Sequence, residues 1–197
     1  MTRPSNDWGG PLAIAFAALA VAGLAVWIPA VPDMESAKDL AANIHSIQAG
    51  KIGALLLIAA MLTLLAYARW LCDAFVGNSI VRTGAVILAA GGLAHLVENV
   101  LVLIFLSGNI AAHQGLWDVI NALSHIAFGL LGLGALVIGR GLAGPGWLRI
   151  WSLIIGVLGI LAGASGLLVQ LEVLVPPFNV LLLIWLIVLG FRPRPTV

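Results

Sequence analysis

His95, Glu98 and Asn99 lie within four residues of one another, in the middle of a nearly all-apolar run, Val81 to Ser107. The run is long enough to cross a bilayer, so the three polar groups fall near its midplane, where an ionised side chain is costly and a buried ionisable residue reads as functional by default. Counting down from Leu106, Glu98 lies roughly 12 Å deep, and His95 lies about one helical turn deeper. Counting from Trp117, His125 reaches about the same depth on the next apolar run, and Trp117, Asn121, Ser124 and His125 share one helical face. A carboxylic acid and two imidazoles at matched depth can do acid–base chemistry. Removal from water favours the protonated carboxyl group, so Glu98 could give a proton to an alkene, epoxide or carbonyl, with His95 or His125 as proton partner. Membrane-embedded terpenoid cyclases and isomerases work in this style. Trp117, Phe105 and Phe178 are aromatic faces that could stabilise a carbocation.

Other chemistries use the same residues. His95, Glu98 and His125 are metal-ligand types, and two histidines on facing spans could clamp a haem. The sequence has neither H-E-x-x-H nor C-x-x-C-H, however, and it names no cofactor and no dedicated metal site. Glu98 could also relay a proton or small solute, although the other half of the bundle offers no polar path and no inverted repeat is visible. The bland alternative is mechanical. Polar groups in lipid join helices at about 0.6–2 kcal/mol per contact, and a Glu98–His125 pair could simply pin two spans together in a non-catalytic subunit.

The elements that must position these residues follow from composition. The chain has 197 residues, 62% hydrophobic and 9% charged, against about 25% charged in soluble domains. The expected fold is all-α: a single polytopic six-transmembrane-helix bundle over residues 1–197, with spans near 11–31, 47–71, 81–107, 117–138, 147–171 and 174–191. The first run is longer than a signal-peptide core and lacks a clean cleavage site. Pro32 ends it, and Asp33, Glu35 and Asp39 suit a new helix N-terminus. Pro176 and Pro177 break the chain before a short sixth span that borrows residues 172–175. Cys72 is the only cysteine, so no intrachain disulfide forms.

Charge placement gives an orientation. One side of a six-span bundle receives Arg3, Arg69, Arg82, Arg140, Arg149, Arg192 and Arg194, whereas the other receives only Lys38 and Lys51 of the nine basic residues. The positive-inside rule then puts both termini in the cytoplasm, as expected of a multi-pass protein of the bacterial inner membrane. Trp8, Trp70, Trp147 and Trp151 fall near one interface, and Trp27 and Trp117 near the other, as an aromatic belt would. Gly156, Gly159, Gly163 and Gly166, with Gly129 and Gly132, form small-residue stripes suited to close helix packing. Gly91 and Gly92 could make room for a neighbouring helix or for a ligand.

The polar side chains gather in the outer half. His45, Gln48 and Lys51 stand at the mouth of the second span, and Gln170, Glu172 and Asn179 around the fifth and sixth. They outline an outward-opening cavity with Glu98 at its floor. The ligand-binding set would be Asn99, Asn121, Trp117, Gln48, His45, Asn179 and Phe178, with His113, Lys51 and Glu172 at a solvated rim. The implied partners are lipids or a lipophilic small molecule, and a second copy of the chain is compatible with the surface. Sparse, scattered arginines give no reason to expect a nucleic acid.

The chain also resembles a family. An acidic outer loop precedes a third span with a buried glutamate. A turn bearing Pro145, Trp147 and Leu148 enters the fifth span, and a Pro177–Phe178 start and the pattern Ile184, Trp185, Leu186, Gly190 mark the last. These features are similar to those of uncharacterised bacterial six-span membrane proteins of similar length, a domain of unknown function. The resemblance implies six spans and carries no catalytic residue with it.

Overall fold

A computed structural model describes residues 8–31, 36–142 and 146–192. Arg3, Asp7, Pro32, Asp33, Glu35, Pro145 and Arg194 lie outside the described residues. The chain is an all-α membrane bundle. Its helices are α1 (Gly9–Ala30), α2 (Ala37–Asn43), α3 (Ile47–Ala74), α4 (Ser79–Phe105), α5 (Gln114–Gly141), α6 (Gly146–Ala164) and α7 (Val175–Gly190). Six of them are long and apolar enough to cross a membrane, counting α7 with the 3-10 turn that leads into it.

Local chemistry sets the ends. Ser46 caps α3 by accepting from the Ala49 amide at 3.1 Å. Ser36 caps the short α2 by accepting from the Asp39 amide, and its hydroxyl returns to the Asp39 carboxylate at 2.7 Å. The polar loop after α1 therefore starts a helix of its own, separate from the second span. Asn78 caps α4 through the Val81 amide and donates to the Gly141 carbonyl at 2.7 Å, so one side chain joins the start of α4 to the end of α5.

Two expectations are corrected. The fifth span stops at Ala164, seven residues before Leu171. There the Ser165 hydroxyl takes the Ala162 carbonyl at 2.6 Å, which competes with the helix ladder, and the chain turns into a 3-10 segment over Val169–Leu174. The second correction concerns Pro176 and Pro177, which do not break the chain. They occupy the first turn of α7, where a missing amide hydrogen costs nothing.

Each span packs on its neighbours in sequence, and α7 returns to α1, so the six spans close a ring in chain order. Glycines allow the approach. A Cβ on Gly132 would stand 2.7 Å from the Gly159 backbone, and one on Gly163 would stand 2.7 Å from Gly129. The α5–α6 stripe is thus packing surface. Gly91 meets Leu131 of α5 and Gly92 meets Leu64 of α3, which settles their role as room for helices. The start of α1 and the end of α7 meet at one end of the ring, where Gly190 abuts the Gly9 carbonyl. Trp70 and Trp117 are 8% and 5% exposed, so they pack inside the bundle and do not serve an aromatic belt. Trp147 and Trp8 do face outward.

Two separate apolar cores fill the ring. The larger, toward the end where α1 starts and α7 stops, holds Tyr67, Leu88, Leu131, Ile138, Ile155, Trp185 and Leu186. Two hydrogen bonds tie α7 to it: Tyr67 donates to the Leu186 carbonyl at 3.0 Å, and Trp185 Nε1 donates to Ser152 Oγ at 2.8 Å. The smaller core, at the α2 end, holds Val31, Leu40, Val102, Phe105, Trp117 and Ile120.

Candidate functional site

The boundary between the two cores is polar. On α4, Leu88 belongs to the larger core and Val102 to the smaller, with His95, Glu98 and Asn99 between them. On α5, Ile120 and Leu131 mark the same two limits, with Asn121, Ser124 and His125 between. The sequence thus interrupts its apolar filling at one level on two adjacent helices.

The register of those helices aligns the interruptions. Gly84 meets Ile138, Leu88 meets Gly134, Gly91 meets Leu131, and Phe105 stacks on Trp117 with ring centroids 5.1 Å apart. These pairs define one antiparallel register, and extending it brings Glu98 level with Ser124. At about 100° per residue, Glu98 falls on the same side of α4 as Gly91, His95 and Val102. Val86, Leu93, Val97, Val100 and Ile104 form the opposite, exposed face. The carboxylate therefore turns into the bundle, away from the lipid.

His95 and Glu98 form a pair. Nδ1 of His95 lies 2.5 Å from Oε2 of Glu98, and the two side chains are 12% and 16% exposed. A hydrogen bond joins the two groups. Glu98 Oε1 and His95 Nε2 make no further hydrogen bond among the described residues, so each group keeps one polar atom for another partner. The His95 ring stands edge-on to Phe128, centroids 4.9 Å apart, and Phe128 stands edge-on to Phe178 at 6.0 Å. A line of aromatic contacts thus runs from α4 through α5 to α7. Phe178 in turn rests on Gly159 of α6, where a Cβ would come within 2.5 Å of its ring.

The remaining expected site residues distribute as follows. Asn99 is buried and donates to the His95 carbonyl at 2.8 Å, a bond within its own helix. Asn121 and Ser124 are half-buried on the face of α5 that carries Phe128, and neither makes a side-chain hydrogen bond among the described residues. Asn179 is half-buried in the first turns of α7, next to Phe178. Trp117 lies in the smaller core, against Phe105. His45 and Gln48 are exposed at the α2 end and have no side-chain bond to the polar layer. His125 turns toward α6, where Nδ1 lies 3.3 Å from Ser165 Oγ and the ring covers Gly166. The two histidines thus have different partners, and among the described residues no three His, Cys, Asp or Glu side chains gather as a metal site.

Sequence reasoning missed Phe128 and Ser165. Phe128 carries no chemical flag, although it lies seven residues after Asn121 on the same helical face. Ser165 reads as one more small residue in an apolar span until the helix is seen to end beside it.

No family model, curated protein or solved structure matches this chain.

Proposed function

We propose that this is an integral protein of the bacterial inner membrane that receives a hydrophobic small molecule at the polar layer, with Glu98 as general acid and His95 holding and returning its proton. In this reading both termini are cytoplasmic, and the chain belongs with the uncharacterised six-span proteins it resembles. The ligand enters from the outer half of the bilayer and meets Asn121, Asn179 and Phe178 on its way to the pair.

The observation that supports the reading is the inward-facing Glu98–His95 pair at the level between two apolar cores. A bond made only to fasten helices would join two spans. This one lies within α4 and leaves a polar atom free on each partner. Phe128, in contact with the His95 ring, supplies an aromatic ring beside it, suited to developing positive charge on a hydrocarbon, and Phe178 lies one aromatic contact further on.

The test is proton transfer itself. Purified protein in liposomes, incubated in deuterated water with geranylgeraniol as a lipid-soluble alkene, should place deuterium on the isoprenoid carbons. Glu98→Gln should abolish this while preserving helix content and thermal midpoint. Equal incorporation by wild type and variant removes Glu98 from the chemistry, and a variant that cannot fold favours a fastening role.

A further inference from the structure

A second feature lies on the lipid-facing side of the α5–α6 seam. Ala122, His125, Ile126 and Gly129 of α5, with Gly163, Gly166 and Leu167 beyond, line a groove of about 420 Å³ that opens sideways. Its volume is in the range of small-molecule sites, about 300–1,000 Å³. The walls are apolar or glycine, and His125 is the one lining residue with a polar side chain.

Hydrogen-bond accounting assigns that imidazole its protons. A serine hydroxyl carries one hydrogen. Ser165 commits it to the Ala162 carbonyl at 2.6 Å, so in its contact with His125 at 3.3 Å the oxygen can only accept. Nδ1 is therefore the donor. The neutral ring then presents Nε2 as a lone-pair acceptor turned away from Ser165, and Nε2 has no partner among the described residues. His125 is eleven residues into α5, roughly 16 Å from its start, which is hydrocarbon depth when the helix spans a bilayer. Water is scarce there, and the ester and phosphate oxygens of ordinary phospholipids are acceptors that cannot serve another acceptor.

We infer that this groove binds a chain-bearing lipid alcohol, whose hydroxyl donates to His125 Nε2 and whose hydrocarbon tail lies along Gly129 and Gly163. Isoprenoid alcohols have this chemistry: one donor at the end of an apolar chain. The site is separate from the Glu98–His95 pair and does not depend on it.

A farnesol analogue bearing a diazirine on its tail tests the assignment with full-length protein in liposomes. Photolabelling should fall on residues 122–129 or 163–167. Unlabelled farnesol should compete roughly fivefold or more better than farnesyl methyl ether, which lacks the donor. His125→Phe should abolish that preference, and Ala122→Phe, which fills an exposed part of the groove, should reduce labelling. Glu98→Gln should leave both labelling and preference unchanged, whatever its effect on proton transfer. Equal competition by alcohol and ether, or labelling unaffected by both groove variants, overturns the inference. So does cross-linking of Ile126 to a second copy, which would show that protein covers the groove.

Discussion

Glu98 and His95 are three residues apart, so one helical turn brings them together without help from another span. Their coupling can be isolated. A double-mutant cycle with His95→Ala and Glu98→Ala, read by unfolding in mixed micelles, should give an interaction of about 1 kcal/mol, as for other polar pairs in membrane bundles. Glu98→Gln keeps an oxygen acceptor toward His95 and should cost less than about 1.5 kcal/mol. A much larger loss would mean that the carboxylate is structural. The sequence exposed the pair because a charged residue in an apolar run stands out. It could not reveal the face that Glu98 occupies. That depends on Gly84 and Gly91 admitting α5 on one side of α4 and on Val97 and Val100 meeting lipid on the other. Nor could it separate His125 from His95. Equal depth made them look like partners, whereas rotation around α5 turns His125 to Ser165.

At the scale of elements, glycine decides which helices touch. Gly132→Leu would drive a side chain into the Gly159 backbone, 2.7 Å from the position of its Cβ, and should destabilise the protein by about 1–3 kcal/mol. Gly115→Ala, with nothing within 4 Å of its Cβ, is the matched control and should change little. Steric-trap or detergent unfolding compares the two, and equal stability would remove the close-packed seam. Asn78→Ala should cost about 1 kcal/mol through loss of the α4 cap, and more if the bond to Gly141 also counts. The spans were readable from apolar length alone. Their ends were less so, because the stop of α6 depends on one hydroxyl competing for one carbonyl and the start of α7 on two prolines acting as a first turn.

For the whole molecule, the start of α1 and the end of α7 lie on one side of the six spans, and the proposed reading, from arginine placement, takes that side as cytoplasmic. In a Cys72→Ser background, cysteine at Gly77 should react with a membrane-impermeant maleimide only in inverted vesicles, and cysteine at Ser36 only in intact spheroplasts. The reverse pattern would invert the protein. The ring itself was not legible in the sequence, since no motif announces that the last helix meets the first. That closure has a consequence for biosynthesis. The final stave is the last to leave the ribosome, so the partly made vessel has an open flank until it arrives. A chain stopped before Val175 would leave the Tyr67 hydroxyl without its acceptor and Ser152 without Trp185, and should be cleared by membrane proteases. An oily guest too bulky to slip between finished walls could still be taken aboard during that interval, before the lid is laid.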